Sequence, residues 1–348
     1  MSKTVKYGLL VAYTNNVGDD IQSLAAKQFL PTVDIIIDRD NPRNVKCDDI
    51  IKVIFNGWLT HSPENYPPAE CIIPLFISIH ISPKIAHRFF REEVIKYLKT
   101  YEPIGARDYA TMLLLKRKGI EHYFSGCLTL TLDYKYGYLK SFKKDFIVVA
   151  DLPQDLLTLL LNIIKRADQK VLVITHQYIN SLDIADPIKK FYRIITTREI
   201  TKQDREEYKY NESHFEFEKA LTKALSLKSR INFWLNTYRL RRLNPTYRIR
   251  YAEHLIKIYA MAKLVITSRL HVALPAATFG TPVIFVSEKL NDPRFNGLID
   301  LVHHYNLKEF RKQIGKIDYE NPPPNPNQEK LNILKRRMIE KILDFIKH

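Results

Sequence analysis

Residues 264–286 read as one strand–helix–strand unit, and this passage constrains the fold more than any other. Leu264-Val265-Ile266 is an apolar run of strand length that leads into Thr267-Ser268-Arg269-Leu270-His271. A small-residue helix pattern follows through Ala277, and Gly280-Thr281-Pro282 then opens a second apolar run, Val283-Ile284-Phe285-Val286. In open α/β sheets, ligands bind at the carboxyl ends of strands, beside helix N-termini. Arg269 and His271, with Ser268 next to them, are therefore expected at such an edge. A guanidinium there can hold an anionic ligand and an imidazole can move a proton.

The rest of the chain repeats the alternation. Residues 7–13, 33–37, 51–55 and 72–79 read as strands, most of them buried on both faces, and 19–28, 82–99 and 109–118 as helices. The pattern restarts at 146–149, with a helix over 154–167 and strands over 171–175 and 192–196. A long polar and basic stretch then runs to Arg250, and a helix over 251–262 precedes the opening unit. At 348 residues the chain exceeds what one core usually organises. The expectation is α/β, with two Rossmann-like βαβ domains facing a cleft: 1–140 and 141–320, divided within 133–145. Residues 321–326 carry four prolines and read as a linker, and 328–346 as an amphipathic helix expected to return to the first lobe. No internal repeat is visible.

Fifty-four Lys and Arg against 38 Asp and Glu give a net charge of +16, which suits anionic partners such as phosphorylated small molecules, lipid headgroups or nucleic acid. The segments Tyr238-Arg239-Leu240-Arg241-Arg242 and Tyr247-Arg248-Ile249-Arg250-Tyr251 interleave aromatics with arginines. Single-stranded nucleic acid could use that pattern, but a solvated basic helix face is the stronger reading, so nucleic acid is not expected as a partner. Cys47, Cys71 and Cys127 have no metal-ligand spacing and read as reduced thiols in a cytoplasmic setting. The start of the chain lacks a signal-peptide core, and the longest apolar stretch, 71–81, is too short to span a bilayer. The expectation is a soluble cytoplasmic protein whose basic surface allows peripheral membrane contact. No carboxylate or histidine cluster has metal-ligand spacing, so no metal is expected.

Three further constellations can carry chemistry. The first βα turn, Asn15-Asn16-Val17-Gly18-Asp19-Asp20, has one glycine, which lets backbone approach a ligand but makes no dinucleotide fingerprint. Asp19 there could cap the helix or take a proton from a hydroxyl. His80 closes an apolar strand at its carboxyl edge, as a ligand or as a structural hydrogen-bonder. Arg107 precedes a helix at another βα junction, where a surface Arg107–Asp108 pair is the plainer reading. Residues 123–132 alternate apolar and hydroxyl side chains and suggest a strand near the domain crossing.

Together these motifs resemble the polysaccharide pyruvyl transferase family. The resemblance rests on Asn16–Ser23, Ile104-Gly105-Ala106-Arg107-Asp108, Gly119-Ile120 with 123–132, and Thr267–His271 through Ile284, spread over residues 7–286. It implies a fold similar to the two-lobed GT-B glycosyltransferases. It also implies transfer of pyruvate from phosphoenolpyruvate, as co-substrate and without other cofactor, to two hydroxyls of a saccharide that is free, lipid-linked or polymeric. Arg269 and His271 match the family's donor motif. Ser268, Arg107 and His80 are added as donor-side residues, with His271 and Asp19 as the catalytic pair. Asn15, Asn16, Gly18 and Asp19 are expected on the acceptor side. The alternatives are a GT-B glycosyltransferase using a nucleotide sugar, and a non-catalytic binder of anionic glycan or nucleic acid.

Overall fold

A computed structural model describes residues 5–143, 145–166, 169–176 and 245–348. The expected strand over 192–196 and the arginine-rich segment 238–242 lie outside these residues. Elements are numbered along the described chain.

Two wholly parallel sheets organise it. The first has the order β2-β1-β3-β4-β5-β6, built from β1 (Val5–Val11), β2 (Ile35–Asp38), β3 (Ile50–Trp58), β4 (Ile72–His80), β5 (Ile104–Ala106) and β6 (His122–Phe124). The second has the order β11-β10-β9-β7-β8, built from β7 (Ile147–Ala150), β8 (Val171–Ile174), β9 (Leu264–Thr267), β10 (Val283–Val286) and β11 (His303–Tyr305). Chain direction across each sheet reverses once, between β1 and β3 and between β7 and β9. Those reversals are where a doubly wound sheet opens a crevice at its carboxyl edge. Fully buried apolar runs such as Ile147–Ala150 and Leu264–Thr267 need helices on both faces, which is why the sheets are parallel and covered. This is a GT-B-like architecture.

Helices α1 (Val17–Lys27), α7 (Pro245–Met261) and α8 (Leu270–Thr278) meet between the sheets. They share one apolar core with strand residues of both, among them Leu9, Val11, Ile54, Val148 and Val265. The last helix, α10 (Gln328–Lys347), buries Leu331, Leu334, Met338 and Ile342. It returns to the first sheet: Lys52 Nζ donates to the Phe345 carbonyl at 3.0 Å, and Lys341 stands 4.8 Å over the Tyr123 ring. The proline-rich stretch before it is irregular, as expected, but it is fastened. Asn325 accepts from the Val283 amide at 2.8 Å and donates to the Thr281 carbonyl at 2.7 Å.

The structure corrects several expectations. The helix expected over 82–99 is a short turn at Pro83–Ile85 followed by α2 (Ala86–Phe89) and α3 (Glu92–Thr100). Arg91 breaks it by turning its guanidinium back onto the carbonyls of Arg88 and Pro63, at 2.8 and 2.9 Å. Strand β6 covers only His122–Phe124, and Leu128–Thr131 is a 3-10 turn whose side chains pack beneath α1 and α8. Cys47 and Cys71 are not both reduced: they form a disulfide with Cα atoms 5.2 Å apart, and Cys127 alone is free and buried. Adjacent parallel strands explain it, because β3 and β4 start side by side and bring residues 24 apart in sequence within bridging distance. Among the described residues no helix is long and apolar enough to cross a membrane.

Candidate active site

Arg269 and Asp151 close the crevice of the second sheet. Asp151 directly follows β7 and Arg269 shortly follows β9, the two strands between which the sheet reverses. Arg269 Nε donates to Asp151 Oδ2 at 2.8 Å, and Ser268 Oγ donates to the Asp151 carbonyl at 2.6 Å. Asp151 has φ +52°, a left-handed conformation that aspartate tolerates better than most residues. The carboxylate also accepts from the His176 amide at 3.0 Å, so it braces the ends of β7, β8 and β9 at once. His271 stands in the first turn of α8.

The turn after β1 meets this edge directly. A Cβ at Gly18 would lie 2.7 Å from His271 Nδ1 and 3.0 Å from its Cβ, so only glycine lets α1 approach so closely. The Val17 amide donates to the His176 carbonyl at 3.1 Å. Asn16 caps α1, its Oδ1 accepting from the Gly18 amide at 3.0 Å, while Asn15 is exposed. Asp19 is bound on both oxygens: Arg39 Nη1 donates to Oδ1 at 2.8 Å and Thr14 Oγ1 to Oδ2 at 2.5 Å. Burial alone would raise the Asp19 carboxyl, but Arg39 and Thr14 outweigh it and hold it down at about 2. A carboxylate that acidic orients a neighbour better than it removes a proton.

Two histidines face each other's fields across the junction. His271 is partly buried and its Nε2 has no hydrogen-bond partner among the described residues; the same holds for the fully buried His176. Burial, with Arg107, His176 and Arg294 adding to it against Asp19, lowers His271 to about 3. Burial also lowers His176 to about 4, opposed by Asp151 and Asp19 and assisted by Arg269. Both are neutral in the free protein near neutral pH.

A third group lies at the carboxyl ends of β3, β4 and β5. His80 Nδ1 is 2.6 Å from Asp108 Oδ2, with both side chains buried, so the pair is internal and not a surface feature. The other Asp108 oxygen caps α4 (Tyr109–Arg117), accepting from the Thr111 amide and hydroxyl at 2.9 Å each. Arg107, expected from sequence on the donor side with a surface Arg107–Asp108 pair as the plainer reading, is buried as well. Its Nε lies 3.5 Å from Asp108 Oδ2 and has no hydrogen-bond partner among the described residues. Burial and the Arg107 charge lower the His80 pKa, against the pull of Asp108. Trp58 packs its ring edge-on to His80 at 4.9 Å and stacks with His61 at 5.1 Å. Arg294, from a turn after β10, stands 5.9 Å over the same indole.

The residues expected from sequence thus fall on two facing edges. Arg269, Ser268 and His271 belong to the second sheet's edge, where His271 stands against Gly18 of the first lobe's turn, while Arg107 and His80 sit further along the first sheet's edge. Sequence reasoning missed Asp151 and His176, although each follows an apolar run in the way that singled out Arg269. Arg248, read as part of a solvated basic face, is buried against Asp20. Among the described residues, no group of three or more His, Cys, Asp or Glu could hold a metal ion.

Two covered parallel sheets whose carboxyl edges meet, with a Ser-Arg-Leu-His turn between them, define a two-lobed GT-B-like fold. The profile of the polysaccharide pyruvyl transferase family matches residues 16–289, most of the chain, and the protein belongs to that family. No curated protein matches its sequence. Among solved structures it is similar to the UDP-GlcNAc 2-epimerase of Methanocaldococcus jannaschii in complex with UDP-GlcNAc and UDP, at 11% identity and TM-score 0.38 over 96% of this chain and 99% of that one. It is also similar to the Escherichia coli heptosyltransferase WaaC with ADP, at 10% identity and TM-score 0.30 over 98% and 99%. A glycosyl transferase of family 9 from Veillonella parvula matches at 11% identity and TM-score 0.29 over 99% and 98%. Likeness at that level carries no argument about chemistry.

Proposed function

We propose that this transferase moves a pyruvyl group from phosphoenolpyruvate to two hydroxyls of a saccharide, forming a cyclic ketal and releasing inorganic phosphate. The observation that carries the reading is His271 in the first turn of α8, its Nε2 without a hydrogen-bond partner among the described residues, two residues from the Arg269 that Asp151 holds at the same sheet edge. Phosphoenolpyruvate presents a carboxylate and a phosphate around one enol carbon, so a site for it needs several cations close together. Arg269 and Arg107 supply bidentate grips, and Ser268 orients the loop that carries Arg269.

His271 is the proton carrier. Arrival of the donor's negative charge favours the imidazolium, so the residue takes up a proton as the donor binds. It delivers that proton to the enol methylene, which becomes the methyl group, and the central carbon becomes electrophilic. A saccharide hydroxyl adds there, phosphate leaves with its bridging oxygen, and the second hydroxyl closes the ring. Of the two hydroxyl protons, one replaces the proton spent on the methyl group and the other leaves with phosphate. Asn15, Asn16, Gly18 and Asp19 form the acceptor-side turn, in which Asp19 orients the incoming hydroxyl and Gly18 permits contact with His271.

The test is to follow phosphate release from phosphoenolpyruvate with and without saccharides. Saccharide-dependent release supports the assignment. Release of nucleoside diphosphate from a nucleotide sugar overturns it in favour of glycosyl transfer. Binding that ignores sugar identity and falls steeply with salt, without turnover, identifies a non-catalytic binder of anionic polymer.

A further inference from the structure

We propose that Trp58, His80 and Asp108 form a saccharide-hydroxyl subsite at the carboxyl edge of the first sheet, with His80 Nε2 as the proton acceptor for the attacking hydroxyl. The proposal rests on the pyruvyl-transfer reading and names the group that the reading leaves open, since Asp19 is too acidic to serve as the base.

Geometry fixes the tautomer. Asp108 is held by the Thr111 amide and hydroxyl at 2.9 Å, so its carboxylate cannot turn away from His80. At 2.6 Å from Asp108 Oδ2, His80 Nδ1 carries the ring proton and donates it, which leaves the lone pair on Nε2. An imidazole oriented by a carboxylate is the arrangement that general bases use, and burial shifts this one toward its neutral form. When Nε2 takes the hydroxyl proton, the oxygen keeps the electron pair that forms the bond to the donor's central carbon. Asp108 stabilises the imidazolium until the proton passes to the departing phosphate.

The His80–Asp108 pair has two buried donors beside it. Here Trp58 Nε1 and Arg107 Nε are both buried without a hydrogen-bond partner among the described residues. Trp58 Nε1 lacks an acceptor, Arg107 Nε has only the Asp108 carboxylate at 3.5 Å, and a buried donor left unmade costs about 1–3 kcal/mol. A sugar hydroxyl supplies an acceptor to these donors and a proton to His80, which an anion or a hydrocarbon cannot do together. The rim has matching chemistry. β3 and β4 register Trp58 against His80. Arg294 reaches the same indole from the second sheet's side, 5.9 Å above it, with its side chain 44% exposed. An indole beside hydroxyl-seeking groups suits a pyranose ring, which has apolar C–H faces and polar edges.

The sequence offers a clean probe, because Trp58 and Trp234 are its two tryptophans. In Trp234→Phe, emission from Trp58 is followed while methyl glucopyranosides, galactopyranosides and mannopyranosides of both anomers are added to the full chain. A saturable change with at least one of them is expected, and no change with any overturns the subsite. Trp58→Phe keeps an aromatic ring and loses the N–H, so the KM for saccharide should rise about tenfold, while kcat shifts less than about threefold. His80→Asn should lower kcat by about 10²–10⁴-fold and flatten the acid limb of its pH profile, with phosphoenolpyruvate affinity unchanged within about threefold. Asp108→Asn should move that limb, and a native circular dichroism spectrum shows that the fold persists in each variant. Wild-type turnover matched by full turnover in His80→Asn overturns the base assignment alone. A wild type that never consumes phosphoenolpyruvate, yet whose Trp58 responds to saccharide, overturns the donor reading alone.

Discussion

Arg248 and Asp20 form a bidentate ion pair with both side chains fully buried, Nε to Oδ1 at 2.8 Å and Nη2 to Oδ2 at 3.0 Å. Nη2 also donates to the carbonyls of Ala12 and Thr14, at 3.0 and 2.7 Å. One guanidinium on α7 thus holds the end of β1 and the first turn of α1, the elements that carry Gly18 and Asp19 to His271. Breaking a buried pair leaves an uncompensated charge. Asp20→Asn and Arg248→Met should each cost about 3–5 kcal/mol in stability. Arg250 is exposed, and Arg250→Ala should stay within about 0.5 kcal/mol. Urea unfolding midpoints of the three variants check both statements.

Gly18→Ala probes the contact between the lobes. The added methyl would sit 2.7 Å from His271 Nδ1 and 3.0 Å from its Cβ, so the imidazole or α1 must move. Alanine also favours the helix by up to about 1 kcal/mol, which offsets strain in the fold. Turnover should therefore fall more than about tenfold while the melting temperature stays within a few degrees. An activity loss matched by an equal loss of stability would show that the contact serves folding and not the site.

Acid should weaken the fold through its buried neutral histidines. In the unfolded chain His176 and His271 protonate near 6.5, but in the folded protein only near 4 and 3. Between those values the unfolded state binds more protons, so stability is full above 6.5 and falls as pH drops toward 4. The combined loss at pH 4 is on the order of a few kcal/mol. Asp19, depressed to about 2, adds a further loss only as pH falls below its ordinary 3.8. Chemical denaturation at pH 7, 5.5 and 4 checks the slope, and His271→Gln should reduce it.

Alkylation under denaturing conditions should label one cysteine without reductant and three with it. Cys127 is free and buried, and Cys47 and Cys71 are joined. Peptide mass mapping gives the answer, and label on Cys47 without reductant would contradict the bridge.

Much of this was legible before any coordinates. The strand–helix–strand unit at 264–286 revealed both the parallel sheet and the carboxyl edge on which Arg269 and His271 stand, because a buried strand must end where its polar residues begin. The spacing of apolar residues in 328–346 likewise located α10 to within a residue. What escaped has a common cause: it depends on partners far apart in sequence. Nothing near Arg248 announces Asp20, 228 residues away, and a guanidinium on a helix reads as solvated until its partner is known. The His80–Asp108 pair and the Cys47–Cys71 bridge arise because neighbouring strands bring distant residues to one edge. Local patterning carries no trace of that adjacency. Asp151 and His176 were within reach of the rule that found Arg269, applied to the ends of β7 and β8.

The proposed chemistry turns on one proton transfer: His271 protonates the donor's methylene while a saccharide takes the central carbon. Turnover of phosphoenolpyruvate and saccharide in deuterium oxide, read by proton and phosphorus magnetic resonance, follows that proton to its destination. The expected product is a saccharide-bound methyl group carrying one deuterium, formed in step with inorganic phosphate, at a rate lowered about 10²–10⁴-fold in His271→Ala. A product whose methyl carries no deuterium, or undiminished turnover in His271→Ala, would contradict it.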